Sequence, residues 1–234
     1  MTDEELARVF PGDSELARLM RAHDWSATPL GDIATWPAHL KTALSLCLTS
    51  RFPIAIWWGP ELALLYNDAY IPFLGEAKHP LFLGRPGKEC WAEVWPTIGP
   101  MLESVLATGE ATWSEDLQLY FARKLPSEEV YVRFTYGPIL APDGKTVDGI
   151  FTPCTETTEQ VIGARRLEVL RRLGTIAEGR SVASTIAEAV RVLASNPHDV
   201  PFSTVYLVDD RGQAATLEAS SISSDLYRLP RRVS

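Results

Sequence analysis

The chain has 234 residues, 46% of them apolar and 22% charged, with a formal net charge of −8. That is enough for one large domain or two small ones with a buried core, and the acidity argues against a nucleic-acid or anionic-membrane partner, which needs a basic surface. No apolar run reaches the ~20 residues that span a bilayer, and the acidic start Met1-Thr2-Asp3-Glu4-Glu5 lacks the basic and apolar regions of a signal peptide, so a cytoplasmic location is expected.

The first fifty residues read as helices. Thr2 and Glu5 have capping-box spacing, which predicts a short helix to Phe10, stopped by Pro11-Gly12. A second helix from Ser14 puts Leu16, Leu19 and Met20 on one face. Residues 24–31 are too rich in turn formers to be helical. A third helix is predicted from Thr35, and its stripe of Trp36, Leu40, Ala43, Leu44 and Cys47 needs a surface to cover. At Arg51 the period changes. Phe52-Pro53-Ile54-Ala55-Ile56-Trp57-Trp58, the Gly59-Pro60 turn and Leu62-Ala63-Leu64-Leu65-Tyr66 predict a β-hairpin. Asn67 is predicted to cap a short helix through Phe73-Leu74, closed by Gly75. After a loop with His79-Pro80 and Gly84-Arg85-Pro86-Gly87, a helix is expected over residues 90–107, interrupted near 96–100 and ended by Gly109.

Three strands follow, over residues 111–121, 130–140 and 147–155. In the second, Val130, Val132, Phe134 and Tyr136 alternate with Tyr131, Arg133 and Thr135, the pattern of a half-buried antiparallel strand. Pro142-Asp143-Gly144 makes its turn. Two strands, helices and three strands predict an α+β fold, a five-stranded antiparallel sheet with helices on one face. Thr157 and Gln160 again have capping-box spacing and start a helix where the sheet ends. In that helix Ile162, Val169 and Ile176 recur every seven residues with Leu173 at a d-like place, but Arg166 and Arg180 hold the other d-like places. A dimeric signalling helix and a helix packed on its own domain both stay open. A stretch with Val182, Ile186, Val190 and Leu193, a strand over 202–208, a turn at 209–212 and a strand over 215–219 complete the pattern. The tail, 220–234, is polar with no core to join.

Over residues 51–158 this order resembles a PAS domain. Tyr66-Asn67-Asp68-Ala69-Tyr70 resembles the family's N-x-A-y entry into its first helix, Leu83-Gly84-Arg85-Pro86 its L-x-G-r step, and Glu156-Thr157-Thr158-Glu159 its closing D-I-T-E, with Glu in place of Asp. The segment from Asp24-Trp25-Ser26-Ala27-Thr28-Pro29-Leu30-Gly31 to Trp36-Pro37 is similar to the leader of PAS domains that open bacterial sensor and hybrid histidine kinases. Residues 1–50 then form an N-terminal helical cap, 159–180 a signalling helix, and 181–234 the incomplete opening of a GAF-like domain. The resemblance implies a sensory fragment of a two-component phosphorelay protein, homodimeric through its N-terminal and linker helices. The alternative is a ligand-free interaction and dimerisation module.

In that family a ligand sits between the sheet and the long helix, which here implies a pocket drawn from Ile56, Trp58, Leu64, Phe73, Trp91, Trp95, Met101, Val105, Phe134 and Thr152. The same side chains also read, and more simply, as plain core. Glu156, Thr157 and Gln160 form the implied signal junction. No catalysis or metal site is expected. None of His23, His39, His79 and His198 lies in a phosphoacceptor box, and Cys47, Cys90 and Cys154 lack paired or metal-ligand spacing. No cofactor is expected either: the 90–107 helix offers no histidine for haem, and the loop residue His79, the one remaining candidate ligand, reads chiefly as a surface histidine. Gly84-Arg85-Pro86-Gly87-Lys88-Glu89-Cys90-Trp91 places Cys90 two residues late against the flavin-binding motif of LOV domains, which leaves a redox or photochemical thiol as the minor reading.

Overall fold

The computed structural model describes residues 2–176, 181–222 and 229–233. The chain divides into two compact units, Met1–Thr158 and Glu159–Ser234.

The first unit has the PAS-like α+β fold. Its strands are β1 (Ile54–Trp58), β2 (Ala63–Tyr66), β3 (Thr112–Phe121), β4 (Glu128–Leu140) and β5 (Val147–Glu156), all antiparallel, in spatial order β2-β1-β5-β4-β3. Ala55 lies opposite Thr152, Trp57 opposite Ile150, and Phe134 opposite Cys154. Because side chains alternate along a strand, these six share one face, the inner one. Ile56, Trp58 and Phe151 share the outer face.

Helices α4 (Ile71–Leu74), α5 (Gly87–Cys90) and α6 (Trp95–Thr108) cover the inner face. The helix expected from residue 90 is therefore two pieces. Proline lacks the N–H that a helix interior needs but fits its first turn, so Pro96 marks the start of α6. Gly87 is required by packing: a Cβ there would fall 2.4 Å from the Trp57 ring.

The outer face of β1 is covered by α3 (Ala38–Thr49), which the chain reaches through α1 (Asp3–Val9) and α2 (Glu15–Ala22). The Thr2–Glu5 capping box of α1 is formed. α3 starts at Ala38 rather than Thr35, because Ile33–Thr35 make a 3-10 turn and Pro37 takes the cap position. Phe10, Trp25 and Trp36 pack together beneath these helices.

Asn67 does not cap a helix with its side chain as predicted. It is buried, its Oδ1 accepts from the Ile54 N–H at 3.1 Å, and its Nδ2 reaches the carbonyls of Cys47, Ser50 and Phe52 at 3.0, 3.2 and 2.7 Å. The last carbonyls of a helix have no partner within it, and the buried amide supplies one at the end of α3. Its neighbours complete the tie. Asp68 Oδ1 accepts from the Leu16 N–H at the start of α2 (3.1 Å), and the Tyr66 hydroxyl meets His79 Nδ1 at 2.8 Å. The free edge of β2 is closed by residues 84–87. The Leu64 N–H donates to the Arg85 carbonyl, the Leu64 carbonyl accepts from the Gly84 N–H, and Gly84, at φ +74°, leaves no room for a side chain against Trp25.

The second unit contains α7 (Thr158–Gly174, whose first residue ends the first unit), α8 (Val182–Ala194) and a sheet of β6 (Thr204–Val208), β7 (Ala215–Ser220) and β8 (Arg232–Val233) in order β6-β7-β8. Asp199 ties it together, accepting from Arg165 Nε (2.8 Å), Asn196 Nδ2 (2.7 Å) and Arg166 Nε (3.1 Å). These bonds hold its carboxyl well below the usual range. The tail is not wholly without pairing: Arg232 and Val233 add to the open edge of β7. α7 ends before Ile176, and Arg180 lies outside the described residues. Among the described residues no helix is long and apolar enough to cross a membrane.

Candidate ligand cavity and output junction

Between the inner face and its helices lies a cavity of about 30 Å³. The sheet contributes Trp57, Leu119, Phe121, Val132, Phe134, Tyr136, Thr152 and Cys154, and the helical side Tyr70, Phe73, Trp91, Val94 and Ile98. Four of the residues expected from the sequence are therefore in the wall: Phe73, Trp91, Phe134 and Thr152. Ile56 and Trp58 are on the outer face instead, where Trp58 meets the His39 ring at 5.3 Å. A strand's period of two means that an error of one position moves every side chain to the other side. Leu64 shares the inner face but stands on the edge strand, Trp95 packs against Trp57 at 6.4 Å, and Met101 and Val105 pack into the core. Tyr136 and Cys154 were legible, since each follows an assigned wall residue by two positions. Trp57 follows from the corrected parity of β1. Tyr70 carried no such signal.

The polar groups of this wall are neutral. Burial pushes up the phenols of Tyr70 and Tyr136 and the Cys154 thiol, and the tyrosines rise further because these groups lie near one another. All three stay protonated at neutral pH. Three of the four buried tryptophans of this unit spend their N–H within the fold: Trp25 on the Met20 carbonyl (2.8 Å), Trp36 on those of Leu30 and Gly31 (3.1 Å each), and Trp57 on Thr152 Oγ1 (3.0 Å). Trp91 is 2% exposed and its Nε1 has no partner. The Tyr70 phenol is close enough to feel that N–H, yet the two make no hydrogen bond of good geometry. A buried donor left unmet costs about 1–3 kcal/mol.

Cys90 lies outside this wall, at the end of α5, where burial pushes its thiol up to about 12. His79 is not a surface histidine. Its side chain is 10% exposed, with Nδ1 on the Tyr66 hydroxyl and Nε2 on Glu15 at 3.1 Å, so both ring nitrogens are engaged. Drug-sized ligands occupy roughly 300–1,000 Å³, so neither a flavin nor a haem fits the cavity as it stands. Among the described residues no group of three His, Cys, Asp or Glu side chains could hold a metal ion.

The sequence reading missed Arg123, which follows β3. Its two terminal nitrogens donate to both Glu156 oxygens, at 2.8 and 2.9 Å, and its Nε donates to Glu128 at 2.9 Å. The guanidinium holds the Glu156 carboxyl below its ordinary value. Glu156 ends β5, and Thr158 begins α7. Thr158 Oγ1 donates to Glu156 (2.9 Å) and accepts from the Tyr131 N–H (3.0 Å), while the Thr157 N–H donates to the Tyr131 carbonyl (2.8 Å). The Thr157 hydroxyl donates to Asp116 of β3 at 2.7 Å, so its hydrogen is committed to the sheet; Gln160 belongs to the second unit. Arg123 also lies over the Phe121 ring at 5.8 Å, and Phe121 packs against Trp91 at 4.9 Å. One aromatic ring is thus both cavity wall and floor of the junction.

No family model matches the chain, and no curated protein does. Solved structures do. An RNA-binding light-oxygen-voltage receptor is 21% identical with a TM-score of 0.42, over 61% of this chain and 40% of that one. A LOV protein of Rhodobacter sphaeroides is 13% identical with a TM-score of 0.43, over 69% and 86%. A sensory box sensor histidine kinase from Vibrio cholerae is 16% identical with a TM-score of 0.36, over 51% and 91%. The chain spans less than half the length of the first of these. Likeness at this level assigns no ligand, partner or activity to the chain.

Proposed function

We propose that this chain is a sensory PAS module, the N-terminal part of a sensor histidine kinase in a two-component phosphorelay, and that occupancy of its inner cavity is relayed to the helix after the last strand. The observation that carries this reading is the shared ring, Phe121, between the cavity wall and the Arg123–Glu156 pair at the root of α7. A ligand shifts such a system only through contacts that differ between two states, and a displaced Phe121 alters the seat of Arg123 directly. Within residues 159–180, α7 serves as the signalling helix, in a homodimer that also uses the N-terminal helices. The helix–strand–turn–strand order of the second unit supports its reading as the opening of a GAF-like domain.

Hydrogen exchange at the first amides of α7 tests the relay. A ligand that enters the cavity changes protection there in the natural protein and not in Arg123→Met. Equal changes in both would refute the coupling. The small volume of the cavity favours a second reading, a ligand-free module for protein assembly. Native mass spectrometry separates the two: a co-purifying small molecule supports sensing, and bare protein whose cavity takes up no added compound supports assembly.

A further inference from the structure

The wall of the cavity carries chemistry narrow enough to define a ligand class. It contains no Lys, Arg, His, Asp or Glu. Lys78, whose ammonium lies 4.3 Å from the Trp91 ring centroid, is paired with Glu93, and neither residue lines the cavity. An ion entering would lose its hydration with no countercharge to meet it. What the wall does offer is aromatic surface and donors: the phenols of Tyr70 and Tyr136 and, above all, the Trp91 N–H, which lies near the Tyr70 phenol but makes no hydrogen bond of good geometry, although the other three buried tryptophans make theirs. An unused buried donor in a cavity wall is a place for an acceptor.

Size sets the other limit. About 30 Å³ holds one or two waters, whereas a cavity of roughly 150 Å³ takes benzene. One ring can enter if a single aromatic wall residue swings aside. A fused multi-ring cofactor would require several to move together.

Resting on the reading of this cavity as the sensory site, we propose that it takes an uncharged, single-ring aromatic molecule with a hydrogen-bond acceptor, a carbonyl oxygen or a ring nitrogen, received by the Trp91 N–H. The ring lies among Phe73, Phe121 and Phe134. Its entry displaces an aromatic neighbour of Phe121, the residue beneath Arg123.

Three probes of similar size test this on the full chain by calorimetric titration: acetophenone, which is neutral and carries an acceptor; ethylbenzene, which is neutral and lacks one; and benzoate, which is charged. Acetophenone is expected to bind at least tenfold more tightly than ethylbenzene, and benzoate more weakly than both. In Trp91→Phe the acetophenone preference falls below threefold while ethylbenzene affinity stays within threefold. Binding of benzoate equal to acetophenone, or a preference that survives Trp91→Phe, overturns the ligand class and leaves the cavity as a site. No binding by any probe overturns the class and the sensory reading together. If Trp91→Phe does not fold, the indole N–H resonances of ¹⁵N-labelled natural protein decide. A resonance moved by acetophenone and not by ethylbenzene supports the proposal; equal responses defeat it.

Discussion

The two faces of the central sheet are both packed with tryptophan, and they differ in how densely their polar atoms are bonded. On the outer side, where the N-terminal helices cover β1, most linking groups have partners: Asn67 reaches four backbone groups, His39 Nε2 bonds Asp148 at 2.8 Å, and the indoles of Trp25 and Trp36 each donate to a carbonyl, while His23 Nε2 at the end of α2 has none. On the inner side a tryptophan N–H is left unmet beside a small cavity ringed by neutral donors. Satisfied buried networks specify and rigidify a fold, and unsatisfied ones are costly. The comparison teaches which face is the more densely tied. The outer face is a structural joint. The inner face carries a local deficit, which under the proposed function a guest relieves.

The comparison breaks first at Asn67. Asn67→Ala strands the Ile54 N–H and the Ser50 carbonyl just after α3 and weakens the bonding of the Cys47 and Phe52 carbonyls, and is expected to cost about 3 kcal/mol, since each stranded buried group costs about 1–3 kcal/mol. Denaturant melts should show this as a lower midpoint, and an unchanged midpoint would mean that the joint is not held by this amide. Arg123→Met is the next largest, about 2 kcal/mol. It removes the charged bonds to Glu156 and Glu128 and should raise hydrogen exchange at Thr157 and Thr158 more than in β1. Tyr66→Phe, which deletes the bond to His79 at the docked end of α2, should cost about 1 kcal/mol. An equal loss in the His79→Ala background would uncouple the two residues.

Acid sharpens the contrast between the regions in two separate windows. Burial pushes the His23 imidazole below its ordinary 6.5. The unfolded chain therefore takes that proton first, and stability present above pH 6.5 declines as pH falls toward the depressed folded value. His23→Gln should remove this first decline. Glu156 is depressed by Arg123 from an ordinary 4.5, so its contribution is intact above that pH and disappears only as pH falls through the lower folded value. Melts between pH 7 and pH 3 should resolve a cap-dependent step and then a junction-dependent one. A single step unaffected by His23→Gln would merge the regions.

Local chemistry was enough for much of this molecule. The Thr2–Glu5 box, the turn after Leu140, the alternation through β4 and the sequence of strands and helices depend on neighbours within a few residues, and such signals survive in a one-dimensional reading. What only the tertiary structure decided is where distant polar groups meet. The Asn67 side chain could have capped the next helix or satisfied the end of the previous one, and only the packing of α3 on β1 decides between them. The parity of β1 depended on which face α6 chose. Arg123 gave no signal, because its partners Glu128 and Glu156 come together only when β4 and β5 pair beside it. The open N–H of Trp91 is the extreme case: a missing partner is a property of a surrounding volume, and no spacing of residues along the chain encodes it.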